Sequence, residues 1–75
     1  MKLGHFVEAI ECFDRVLEIA PQDAGALYNK GHAQEKLGRK LEAAISYRKF
    51  LDVSPVQYAQ QIAIAFQRLR ELEKR

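Results

Sequence analysis

The residue types that most often carry enzyme chemistry are few in this sequence, and they do not cluster. His5 and His32 are far apart along the chain, and neither has a Cys, Asp or Glu at a spacing typical of metal ligands. Cys12, the single cysteine, lies among apolar residues, which predicts a small buried thiol rather than a nucleophile. We therefore expect no metal site and no nucleophilic centre at these residues.

Hydrolytic chemistry is equally weakly indicated. Ser46 has no glycine-flanked turn of the kind that exposes a nucleophilic serine. The carboxylate pairs Glu8 with Glu11 and Glu71 with Glu73 read as helix-surface charges, because paired-acid catalysis needs a pocket that so short a chain is too small to build. The sequence predicts neither an enzyme nor a cofactor-binding protein.

Size and composition limit the remaining classes of function. Seventy-five residues make one small domain, close to the size at which a single core is only marginally sufficient. A net charge of +2 lacks the basic excess that phosphate-backbone binding needs, and no window is apolar for long enough to insert into a membrane. The one cysteine allows no internal disulfide, which favours a reducing, cytoplasmic location.

An internal repeat is the most informative feature of the chain. Residues 2–21, KLGHFVEAIECFDRVLEIAP, return 34 residues later as residues 36–55, KLGRKLEAAISYRKFLDVSP. Seven of these twenty positions are identical, whereas ordinary composition gives roughly one or two matches by chance. The identical pairs are Lys2/Lys36, Leu3/Leu37, Gly4/Gly38, Glu8/Glu42, Ala9/Ala43, Leu17/Leu51 and Pro21/Pro55.

The period and the residues within it resemble the tetratricopeptide repeat (TPR), a helix–turn–helix unit of 34 residues. One half of that family's signature, A-x3-F followed by proline, reads Ala9, Phe13 and Pro21 in the first copy and Ala43, Tyr47 and Pro55 in the second. The other half, W-x2-L-G-x2-Y, matches at Leu27 and Gly31 but departs from the pattern at Lys30 and Gln34. The resemblance covers almost the whole chain and implies an all-α, right-handed helical solenoid.

Apolar periodicity predicts four antiparallel helices, at about 5–20, 24–37, 40–53 and 55–73. Asp23 is the predicted N-cap of the second helix, and Gly38 is its predicted left-handed C-cap. Ser54, Pro55 and Gln57 predict a capping box at the start of the fourth helix.

The order of these helices predicts a single domain, 1–75, that begins in mid-repeat. Residues 1–22 correspond to the second helix of a truncated repeat, 23–54 to a complete repeat and 55–75 to a C-terminal capping helix. The expected apolar face of the capping helix consists of Tyr58, Ile62, Ala65, Phe66 and Leu69. Its expected polar outer face consists of Gln60, Gln61, Gln67, Arg68, Glu71 and Lys74, as repeat arrays need for solubility.

The first helix is expected to lack a neighbour on one side. If Phe6, Ile10, Phe13 and Leu17 faced water, the loss would be roughly 6–12 kcal/mol, at about 1.5–3 kcal/mol for each side chain. Two interpretations would avoid that loss: the chain is a fragment of a longer array, or two copies cover each other's open N-terminal helices through a two-fold contact. The second interpretation makes these four residues a self-association face and the protein a homodimer.

The family resemblance implies a non-enzymatic scaffold that binds a peptide or a partner protein in a concave groove lined by first helices. The implied partner-binding residues are Tyr28, Asn29, His32, Glu35 and Lys36 on the second predicted helix, and Gln60, Ala63, Ile64, Gln67 and Arg70 on the capping helix. One TPR subclass clamps a terminal carboxylate, but Ala59 and Ala63 stand where its basic pair would be required. We therefore expect a mixed polar groove, with self-assembly as the alternative function.

Overall fold

The computed structural model describes residues 3–53 and 56–74, and these residues form four α-helices and no strand. Helix α1 spans Leu3–Ile19, α2 spans Ala24–Lys36, α3 spans Lys40–Val53 and α4 spans Ala59–Leu72. A short 3₁₀ turn, Val56–Tyr58, precedes α4. Helix α2 packs on α1 and on α3, and α3 packs on α4. The predicted all-α helical-repeat architecture is confirmed.

Both predicted ends of α2 are confirmed. Asp23 has an extended backbone, and its carboxylate oxygen Oδ1 accepts a hydrogen bond from the amide nitrogen of Ala26 at 2.9 Å. Gly38 has a φ of 78°, which glycine adopts without a steric penalty. The amides of Gly38 and Arg39 donate to the carbonyl oxygens of Glu35 and Gln34 at 3.0 and 2.9 Å, the two bonds of a Schellman motif.

The predicted start of α4 is wrong by about one turn. Ser54 and Pro55 lie outside the described residues, and Gln57 lies in the exposed 3₁₀ turn rather than in an α-helical capping box. Helix α4 begins at Ala59, and Tyr58 before it makes no side-chain cap. The Tyr58 ring instead packs edge-on against Phe50 of α3, with ring centroids 6.1 Å apart. The predicted helix would contain Tyr58 in its first turn, whereas in the structure Tyr58 lies before α4 and contacts Phe50.

The core lies between α2, α3 and α4. Tyr47 and Phe50 of α3 are its largest fully buried side chains, at 1% and 0% exposure. Tyr28 of α2 packs on both of them, with ring centroids 6.0 Å from Tyr47 and 5.2 Å from Phe50. The buried residues of this cluster are Ala24, Leu27, Ala43, Tyr47, Phe50 and Ala65.

The two departures from the family signature form polar contacts between helices. The ammonium nitrogen Nζ of Lys30 lies 2.6 Å from Oδ1 of Asp14, which joins α2 to α1. Gln34 is buried: its Oε1 accepts a hydrogen bond from the Ser46 hydroxyl at 2.6 Å, and its Nε2 donates to Oε2 of Glu42 at 3.3 Å. Because its donor and its acceptor both have partners, the buried amide is tolerated where the signature has tyrosine.

Helix α1 is less exposed on its predicted open face than expected. Ile10 is buried, at 7% exposure, and Phe6, Phe13 and Leu17 are half-buried, so the four side chains do not all face water. The reason is that α1 packs on α2, and Leu17 contacts the core. Their proposed role in self-association stays a prediction.

Other side chains of α1 are exposed instead. Val7, Val16 and Ile19 are its exposed apolar residues. The expectation that Cys12 is a buried thiol is wrong, because its side chain is exposed. Cys12 follows Ile10 by two residues, at roughly 100° of rotation per residue. Its side chain therefore lies about 160° around the helix from Ile10 and outside the buried stripe.

The expected positions of three residues of α4 are also wrong. Phe66, expected on the apolar face, is 55% exposed, because the buried stripe passes through its neighbour Ala65, which is fully buried. Arg68, expected on the polar outer face, pairs with Glu35 of α2. Gln61, from the same expected face, is half-buried.

None of the described helices is both long enough and apolar enough to cross a membrane.

Candidate partner-binding surface

An open concavity lies between α2 and α4, with α3 at its base; we name it the groove. It is lined by Tyr28, His32, Glu35, Lys36, Tyr47, Ile64 and Arg68. Helix α2 supplies four of these residues because positions separated by three or four share one helical face. Its neighbouring face is buried through Leu27, Gly31 and Gln34.

Glu35 is already bound by two partners inside the protein. Its Oε1 accepts a hydrogen bond from the Tyr47 hydroxyl at 3.0 Å, and its Oε2 pairs with the guanidinium group of Arg68. Only 14% of the Glu35 side chain is exposed. A single carboxylate therefore links α2, α3 and α4, and we infer that Glu35 shapes the groove rather than offering a free charge to a partner.

The exposed His32 lies in a positive environment. Partial burial, followed by the charges of Lys36 and Arg68, lowers the pKa of the His32 imidazole below its usual value. The neutral ring is therefore favoured near neutral pH, and in this form one nitrogen donates a hydrogen bond and the other accepts one.

Tyr47 forms the base of the groove, and burial, with a smaller contribution from Tyr28, raises the pKa of its hydroxyl to about 12. Since an unfolded tyrosine ionises near pH 10, the unfolded chain loses this proton first and the folded protein loses stability between about pH 10 and 12. We expect a loss of about 2–3 kcal/mol from this group, present in the wild type and absent in Tyr47→Phe. Urea denaturation at a series of alkaline pH values measures this loss. If the free energy of unfolding depends on pH equally in the wild type and in Tyr47→Phe, the loss cannot be attributed to the Tyr47 hydroxyl.

The structure brings together five of the ten predicted partner-binding residues: Tyr28, His32, Glu35, Lys36 and Ile64. Ala63, Gln67 and Arg70 lie instead on a second concavity, on a neighbouring face of α4. We name this concavity the α4 outer surface; its lining residues are Ala63, Phe66, Gln67, Arg70, Glu71 and Lys74. Asn29 and Gln60 are exposed and lie on neither surface. A binding role for any of the ten stays a prediction.

Tyr47 and Arg68 are the two groove residues that sequence reasoning missed. The ring of Tyr47 is buried in the core, whereas its hydroxyl donates a hydrogen bond to Glu35 of the groove. Arg68 follows Ile64 by four residues, so the assignment of Ile64 to the groove was itself a signal that Arg68 shares its face. Within residues 3–53 and 56–74, no three His, Cys, Asp or Glu side chains come close enough to hold a metal ion.

Paired helices with an open groove between two of them are the architecture of a helical-repeat protein. The family model described as tetratricopeptide repeat matches residues 1–70 of this chain, and the chain therefore belongs to the tetratricopeptide repeat family. No match was found among curated proteins or among solved structures. Repeats of this family generally mediate protein–protein interaction and are typically not catalytic.

Proposed function

We propose that this protein is a non-enzymatic scaffold whose groove binds an extended segment of a partner protein. The observation that supports this most directly is the composition of the groove. Tyr28 and Ile64 offer apolar surface, His32 offers a donor and an acceptor, and Lys36 forms no salt bridge within the described residues. Such a mixture of apolar anchors and unpaired polar groups is typical of a binding surface.

The groove suits a partner of defined chemistry. An apolar side chain would pack between Tyr28 and Ile64, and a polar backbone group would bind the His32 imidazole. A carboxylate would complement Lys36, because the charge of Arg68 is already matched by Glu35. We therefore propose a peptide that carries an apolar residue beside an acidic one.

Peptide display against the full chain tests this proposal. Selected peptides should bind the wild type, and Lys36→Glu or Ile64→Ser should weaken binding by at least about tenfold. Lys49→Glu and Ile45→Ser are matched controls, since both residues are exposed and lie on the opposite side of the fold. Tyr28 is a poor probe because its ring also supports Tyr47 and Phe50.

Nuclear magnetic resonance spectra of the labelled chain locate the binding surface independently. Added peptide should shift the backbone resonances of His32, Lys36 and Ile64 and leave those of Ile45 and Lys49 in place. Failure to select any peptide, or equal losses in the groove and control variants, would contradict the proposal.

Two further expectations stand beside this proposal. We propose a cytoplasmic location, supported by the single cysteine, and we propose protein rather than nucleic acid as the partner, supported by the small net charge of +2. The alternative function, self-assembly, would use the face of α1 that carries Phe6, Ile10, Phe13 and Leu17.

A further inference from the structure

His32 shares the groove with two permanent cations. Lys36 follows it by four residues and lies on the same face of α2, and Arg68 belongs to α4, across the groove. The cavity that these residues line has a volume of about 500 Å³, within the range of sites that accept a small ligand or a few side chains of a partner. A side chain that enters this cavity is therefore close to an imidazole and to two positive charges.

The other groups that face the cavity leave this environment positive. Glu35 supplies the one carboxylate within the described part of the groove, and its charge is matched by Arg68. The Tyr47 hydroxyl of α3 donates a hydrogen bond to the same carboxylate. Tyr28 and Tyr47 are phenols, which carry no charge near neutral pH. The ammonium group of Lys36 therefore remains without a matching anion among the residues that line the cavity.

The protonation of His32 responds to these surroundings. Partial burial contributes most to the lowered pKa of the imidazole, and the charges of Lys36 and then Arg68 lower it further. The two cations oppose protonation because a charged imidazole repels them. A negative charge placed beside them offsets this repulsion and raises the pKa of the ring again.

The peptide proposed above supplies that negative charge. Its acidic residue pairs with Lys36, and side chains four residues apart on a helix have Cβ atoms only about 5–6 Å apart. An opposite charge within about 4–6 Å raises the pKa of a basic group by about one to three. Because His32 and Lys36 are both exposed, screening by solvent and salt weakens this effect, and we expect the lower end of the range.

We propose that His32 couples partner binding to pH, so that the groove binds acidic segments more tightly as the pH falls from about 7.5 to about 5.5. The proposal rests on the proposed function of the groove and adds a regulation of that site. Its sign follows from linkage: a bound carboxylate favours the protonated imidazole, and protonation therefore favours the bound carboxylate by the same factor. Aspartate and glutamate in the peptide stay ionised over this range, because they titrate near pH 4.

Isothermal titration calorimetry with a selected acidic peptide tests the proposal. For the wild type, the dissociation constant should fall by about three- to tenfold between about pH 7.5 and about pH 5.5, as expected when binding raises a histidine pKa by about one. His32→Gln keeps a donor and an acceptor but takes up no proton, so its affinity should be the same at both pH values. The matched control ligand carries Asn or Gln in place of the acidic residue and should gain no affinity at the lower pH.

Nuclear magnetic resonance follows the protonation of His32 directly and needs no variant. The titration midpoint of its imidazole should rise by about one pH unit when the acidic peptide is bound. His5 of α1 lies outside the groove and is the internal control, because its resonances should titrate identically with and without peptide. In the free chain, Lys36→Gln should raise the His32 midpoint, whereas Lys49→Gln, which alters a lysine outside the groove, should leave it unchanged.

The outcomes separate this proposal from the proposed function. A peptide that binds the wild type equally well at both pH values would overturn the coupling and leave the groove as the binding site. A His32→Gln variant that retains the full pH dependence, or a Lys36→Gln variant with an unchanged His32 midpoint, would have the same meaning. Failure of every peptide to bind at either pH would overturn the proposed function and the coupling together.

Discussion

Phe50→Ala is expected to leave a large fraction of the protein molecules unfolded at room temperature. Phe50 is completely buried, and its ring contacts those of Tyr28 and Tyr58, so that it joins α3 to α2 and to the turn before α4. Truncation of a buried phenylalanine costs about 3–5 kcal/mol. A chain of this length is stabilised by only about 4–11 kcal/mol in total. The loss is therefore comparable to the whole stability.

Urea denaturation followed by far-ultraviolet circular dichroism measures this effect. Phe66→Ala is the matched control because it removes the same atoms from a ring that is 55% exposed. We expect it to change the free energy of unfolding by at most about 0.5–1 kcal/mol at protein concentrations where the chain is monomeric. Similar losses in both variants would contradict the described positions of the two rings.

Gly31→Val is expected to destabilise the protein by about 3 kcal/mol, the upper part of the range for overpacking. A Cβ atom at this position would lie 3.0 and 3.1 Å from two ring carbons of Tyr47. Tyr47 cannot yield easily, because its ring is buried and its hydroxyl is bound to Glu35. The opposing gain in helix propensity is smaller, at less than about 1 kcal/mol, so the steric cost dominates.

Gly4→Val provides the matched control for this substitution. Gly4 also lies in a helix, but a Cβ atom there would meet no other atom within 4 Å. We expect a change of no more than about 0.5 kcal/mol in the free energy of unfolding. Equal destabilisation by both variants would indicate that loss of glycine itself, rather than contact with Tyr47, is responsible.

The Gly31 substitution should also alter the groove, because the core and the groove share Tyr47. Movement of the Tyr47 ring would stretch its hydrogen bond to Glu35, and Glu35 in turn holds Arg68 of α4. The stability of the core and the shape of the groove are thus coupled through one tyrosine. For that reason the groove is best probed at Lys36 and Ile64, which are exposed and lie outside this chain of contacts.

The sequence alone was sufficient for the features that depend on local interactions. The 34-residue repeat identified the family, and apolar periodicity placed three of the four helices to within two residues. The caps at Asp23 and Gly38 were predictable because each is formed by hydrogen bonds between residues at most five positions apart. Such bonds depend on residue type and backbone conformation, both of which can be read along the chain.

Only the tertiary structure decided how each helix is rotated about its own axis. One residue corresponds to roughly 100° of rotation, so a small change in packing moves a side chain from the core to the surface. The exposure of Cys12 and Phe66 followed from the way α1 lies on α2 and α4 lies on α3. The pairing of Arg68 with Glu35 has the same origin, because it joins residues 33 positions apart whose helices meet only after folding. Repeat periodicity determines which helices exist, and long-range packing determines which side chains they offer to a partner.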